Sequence, residues 1–204
     1  MTGRNRALTA MWTVAVFFTV VTAAGLVALD FMVAPWTAAR AHGGIWADIL
    51  RVTDRVALLE GDGLLIPSAL VIASGLLFVL SSTRPLGYLL LYVGLVQLLA
   101  AGIAAVAAPR LGRVPPFEAA AGGDLWFAAG HTFPATTVAF VAGLFFPLVL
   151  LVPRLWPVWI LPPLAVAAAV VLEDVHYLSD AAASLALAAA LAAGFDWLAE
   201  RGRE

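Results

Sequence analysis

Two of the chain's three histidines stand among neighbours that could turn an imidazole into a reagent. His176 lies in Glu173-Asp174-Val175-His176-Tyr177-Leu178-Ser179-Asp180, so a carboxylate follows it by one helical turn. An imidazole fixed by a carboxylate is held in one tautomer and becomes a better nucleophile or base. His131 lies in Gly130-His131-Thr132-Phe133-Pro134, and Pro134 suits the first turn of a helix. Free backbone N–H groups at such a start, together with the helix dipole, favour an anion. The expected chemistry is therefore nucleophilic or acid–base work by His176, Asp180 and His131 beside an anion held by amides around Gly130 and Thr132. His42 has no partner in the sequence, and no role is assigned to it.

The elements that must position these residues are read from hydropathy. Of the 204 residues, 63% are hydrophobic and 12% charged, against roughly 45–50% and 25% in a soluble domain. Lipid is thus the main solvent, and the fold class is all-α: a polytopic bundle of about six transmembrane helices. Expected spans run from Leu8 to Pro35, Leu64 to Ser81, Leu86 to Ala108, Thr132 to Val152, Val158 to Leu172 and Ser179 to Trp197. The first is too long for the apolar core of a signal peptide and is read as retained. The fifth holds Pro162 and Pro163 and is expected to be kinked or to start late. Between the first two, Ile45, Trp46, Ile49, Val52, Val56 and Leu59 recur at helical spacing opposite Asp48, Arg51 and Arg55, which predicts an amphipathic helix lying on the bilayer. No repeat or linker divides residues 1–204, so a single membrane domain is expected.

Charge narrows the partners. A formal net charge of -2 and the absence of any basic run argue against nucleic acid and for a lipid or small-molecule partner. Lys and Cys are both absent, so an anion site must use Arg, His or backbone donors, and neither a disulfide nor a thiolate metal site can form. Arg4, Arg6, Arg84, Arg154, Arg201 and Arg203 sit in very short segments, whereas Arg40, Arg51, Arg55, Arg110 and Arg113 are spread over two long loops. That bias places both termini in the cytoplasm of a cell-membrane protein, with the histidine segments on the extracytoplasmic face.

Ala128-Ala129-Gly130-His131-Thr132 and Val175-His176-Tyr177-Leu178-Ser179-Asp180, about 45 residues apart, resemble the second and third motifs of the type 2 phosphatidic acid phosphatase family. That family's pattern is a basic first motif ending in Arg-Pro, then Pro-Ser-Gly-His, then Ser-Arg, five residues, His, three residues and Asp. The resemblance implies a metal-free phosphatase acting on a lipid phosphate or a prenyl (di)phosphate. His176 would attack phosphorus, Asp180 would orient it, and His131 would protonate the leaving oxygen. Arg110 and Arg113, in the region of the first motif, would neutralise the phosphate oxygens.

The departures fall on the phosphate clamp. Ala128 and Ala129 replace Pro and Ser, Val170 stands where the third motif has Arg, and the first motif lacks its Lys and a clean Arg-Pro. Two alternatives follow: a noncatalytic member that binds or moves a lipid, and a Mg-dependent prenyl-diphosphate enzyme using Glu118, Asp124, Glu173 and Asp174. Trp126, Phe127, Phe133 and Tyr177 read as interfacial aromatics, Gln97 as a bond to a neighbouring helix, and Asp30 as either interfacial or facing the site.

Overall fold

The structure is a computed structural model that describes residues 3–40, 43–57, 65–79, 83–119 and 125–201. His42, Leu59, Asp124 and Arg203 lie outside the described residues. The chain runs α1 (Gly3–Ala24), a π-helical turn (Gly25–Leu29), α2 (Asp30–Ala38), α3 (Ile45–Ala57), α4 (Leu65–Val79), α5 (Arg84–Leu111), α6 (Pro116–Ala119), α7 (Thr136–Leu151), α8 (Trp156–Leu172) and α9 (Leu178–Arg201). All of the regular structure described is helical, as an apolar chain in lipid requires when each backbone N–H and C=O must be satisfied within its own segment.

By length and composition four helical stretches can cross a membrane: Asn5–Ala38, Arg84–Ala119, Pro153–Leu172 and Leu178–Arg201. The expectation of six is met in number only if α4 and α7, apolar helices of 15 and 16 residues, are added. At 1.5 Å per residue these reach about 22–24 Å, short of a hydrocarbon core of about 30 Å. The fifth span does not start late: α8 begins at Trp156 and continues through Pro162 and Pro163. The fourth does, because residues 125–135 form an irregular segment and regular helix begins only at Thr136.

α7 is the centre of the bundle. Apolar on all sides, it buries Val138, Phe140, Phe146 and Leu150 among its neighbours and packs against α5, α8 and α9. α9 buries Ala181, Ala182, Ala188, Ala189, Ala192 and Ala193, side chains small enough to let α1 and α7 approach closely. Gln97 of α5 donates through Nε2 to the Phe140 carbonyl of α7 at 3.4 Å, the interhelical bond expected of it. The amphipathic helix is present as α3, which lies along α8 and α7 with Ile49 packed on the core and Ile45 and Val52 exposed.

The first span meets α9 through one residue without a side chain. A Cβ on Gly25 would stand 2.7 Å from the Ser179 Cβ, so only glycine permits this crossing. The π-helical turn begins at that glycine and ends just before Asp30, setting the Asp30 carboxylate against the start of α9.

Candidate active site

The irregular segment before α7 is clasped to the end of α5. Phe127 N–H donates to the Leu111 carbonyl at 2.8 Å, Ala128 N–H to Gly112 at 2.9 Å and Val114 N–H to Leu125 at 3.0 Å. Thr132 donates to the Arg113 carbonyl from both its N–H (3.2 Å) and its hydroxyl (3.1 Å). Gly130 crosses the same backbone so closely that a Cβ there would overlap the Arg113 carbonyl oxygen. These contacts fix Arg113 at the helical rim and lay the His131 segment across it.

His176 stands in the break between α8 and α9, with 13% of its side chain exposed. Its Nδ1 lies 2.9 Å from the Thr132 carbonyl oxygen and 3.7 Å from Asp180 Oδ2. A carbonyl oxygen only accepts, so Nδ1 carries a proton, and in the neutral tautomer the lone pair is on Nε2. The carboxylate was expected to be the acceptor. The structure gives that place to a backbone carbonyl, because Asp180 is engaged elsewhere: Oδ1 bonds the Arg113 guanidinium and Oδ2 accepts from Tyr177 N–H at 3.0 Å.

Arg113 is the hub of the site. Its side chain is 3% exposed and is shared by Asp180, Ser179 at 2.6 Å and Asp30 at 2.7 Å. Asp30 also accepts the Ser179 N–H at 3.0 Å and the Ser179 hydroxyl. Trp126 and Tyr177 lie against the guanidinium, with their ring centroids 4.7 Å and 3.9 Å from it. Both rings therefore help hold a buried cation rather than simply anchoring at the interface. Burial pushes the Tyr177 phenol above its ordinary value, against the lowering pull of Arg113, and keeps it neutral. The Arg113 Nε is buried without a partner among the described residues. On one side the cluster walls a cleft of about 460 Å³, lined by Phe31, Ala34, Pro35, Pro116 and Leu125 together with Asp30, Arg113 and Tyr177.

Other candidates are distributed differently. His131 is exposed and has no hydrogen bond or ion pair among the described residues, although its neighbour Thr132 touches His176. The amide cradle expected around Gly130 and Thr132 does not sit at a helix start, since α7 begins at Thr136 and Thr132 N–H is spent on Arg113. Arg110 is exposed in the last turn of α5 and lines an outer groove with Leu98, Ile103 and Val106, away from the Arg113 cluster. Of the acids weighed as metal ligands, Glu173 accepts the Gly43 N–H at 3.1 Å, buried Asp174 accepts the Thr37 hydroxyl at 2.8 Å and Glu118 is exposed on α6. Among the described residues no three His, Asp or Glu side chains gather as metal ligands. Asp30 is the site residue that sequence reasoning left ambiguous. Its only signal was a carboxylate within an apolar span, which is costly unless paired.

The fold and site define a multi-pass, all-helical membrane protein with a histidine backed by buried ion pairs at one end of the bundle. The PAP2 superfamily model matches residues 86–203, and the chain belongs to that superfamily. The crystal structure of the first transmembrane PAP2 type phosphatidylglycerolphosphate phosphatase from Bacillus subtilis is similar over 91% of this chain and 95% of that one, with a TM-score of 0.52. At 20% identity, that similarity is one of fold. No curated protein matches this chain.

Proposed function

We propose that this chain is a membrane phosphatase that removes phosphate from a lipid phosphate or a prenyl (di)phosphate through a phosphohistidine on His176. The observation that carries the reading is the 2.9 Å bond from His176 Nδ1 to the Thr132 carbonyl, which in the neutral ring puts the lone pair on Nε2 of a partly exposed side chain. Nε2 attacks phosphorus as the bond from phosphorus to the leaving oxygen breaks, and that oxygen departs with a proton from His131. Water, giving a proton back to His131, then cleaves the N–P bond, releasing phosphate and restoring the imidazole. Catalysis needs no metal in this scheme, and the EDTA arm of the test below compares it with the Mg-dependent alternative. Six spans, with both termini cytoplasmic, would place the site on the extracytoplasmic face.

A second reading, binding or moving a lipid without chemistry, has its own support. Val170 is buried where the family pattern has Arg, and every hydrogen bond of the Arg113 guanidinium goes to Asp30, Ser179 or Asp180. Phosphate release from phosphatidate, prenyl phosphates and prenyl diphosphates separates the two. The phosphatase reading expects release that is insensitive to EDTA and falls at least about a thousandfold in His176→Ala. Release by His176→Ala at the wild-type rate would overturn the phosphohistidine route, and none from wild type alongside saturable lipid binding would favour the second.

A further inference from the structure

Asp30 belongs to the first span, outside the residues that the family model matches, yet it is 3% exposed and bonded to both Arg113 and Ser179. The four groups form a chain of contacts from His176: the imidazole, the Asp180 carboxylate 3.7 Å away, the Arg113 guanidinium bonded to it, and the Asp30 carboxylate 2.7 Å from that guanidinium. Two carboxylates against one guanidinium leave a net negative charge beside the histidine. An isolated Arg113–Asp180 pair would be neutral, and the guanidinium's positive charge would offset part of the Asp180 field at His176.

We propose that Asp30 is an electrostatic positioning residue, which offsets Arg113 so that Asp180 acts on His176 as an effective anion. The proposal rests on the reading of His176 as nucleophile. When Nε2 gives its electron pair to phosphorus while Nδ1 keeps its proton, the ring becomes cationic, and the nearby negative charge favours that state over the neutral ground state. Of the other ionisable groups beside His176, Asp174 accepts from the Thr37 hydroxyl, Glu173 accepts from the Gly43 N–H, and burial keeps the Tyr177 phenol neutral. Arg113 thereby also acts through Asp180, as its support, and is not a phosphate ligand.

The test compares wild type with Asp30→Asn, Asp30→Glu and the double variant Asp30→Asn with Arg113→Gln. Phosphate release gives kcat and KM, and folding is judged by monodispersity and unfolding temperature in detergent. Asp30→Asn neutralises the cluster, so kcat should fall about tenfold or more while KM stays within about threefold. Asp30→Glu keeps the charge and should retain most of kcat. Adding Arg113→Gln to Asp30→Asn returns the net negative charge and should raise kcat about fivefold or more above the single variant. A merely structural role predicts the reverse, since the double variant loses more native bonds.

An unchanged kcat in Asp30→Asn would overturn the proposal. So would a double variant no faster than the single one, which would make Arg113 a phosphate ligand, and so would failure of both Asp30→Asn variants to fold while Asp30→Glu folds, which would make Asp30 a scaffold residue. Wild type that releases no phosphate, or is equalled by His176→Ala, removes the nucleophile reading and this inference with it, and that result is seen before any Asp30 variant is made.

Discussion

At Arg113 one guanidinium answers to two carboxylates, a hydroxyl and two aromatic rings, all in a place that water scarcely reaches. Taking charges out of water is expensive, and the arrangement persists because each anion has a partner and hydrogen bonds besides. Removing the cation alone is far worse than removing the whole set, since Asp30 and Asp180 would then be buried and uncompensated. Arg113→Ala should therefore lose about 3–5 kcal/mol of stability, read as a large fall in unfolding temperature in detergent. A change of less than about 1 kcal/mol would show that the cluster is hydrated and exchanges freely.

The site is assembled by element ends rather than by any one helix. α9 supplies Asp180 from its first turn, the break before it supplies His176, and the end of α5 supplies Arg113 through the clasp with residues 125–132. The first span contributes Asp30 only because Gly25 lets its backbone close on Ser179. Gly25→Val should force α1 from α9 and cost about 1–3 kcal/mol by overpacking, and it should lower kcat further by drawing Asp30 from Arg113. Equal kcat in Gly25→Val and wild type would show that the crossing is not what sets Asp30. α7 is shorter than the span expected for it, since the chain stays extended at Ala135 and the Thr132 and Ala135 N–H groups meet the Arg113 and Asp180 carbonyls ahead of the helix.

For the molecule as a whole, we propose from the distribution of Arg that the site lies opposite both termini, and the absence of native Cys makes this directly measurable. In sealed cells, single cysteines introduced at exposed Ala129 and Phe117 should react with a membrane-impermeant maleimide. A cysteine at exposed Arg154 should react only after the membrane is opened. The reverse pattern would invert the topology and put the site in the cytoplasm.

Composition, apolar run lengths and the spacing of His176 to Asp180 were enough to determine an all-helical membrane chain and to bring out the family likeness, because solvent preference and helical period are local properties. The amphipathic α3 and the Gln97 bond were legible for the same reason. Tertiary packing alone decided which acceptor His176 Nδ1 meets, that Arg113 rather than Arg110 turns inward, and that Asp30 joins the site. Each of those outcomes depends on partners at least 44 residues apart in the chain, as the bonds of His176 with Thr132, Arg113 with Asp180 and Arg113 with Asp30 are. No periodicity encodes such a meeting, since the low-dielectric interior selects whichever pairing leaves the fewest buried charges unanswered.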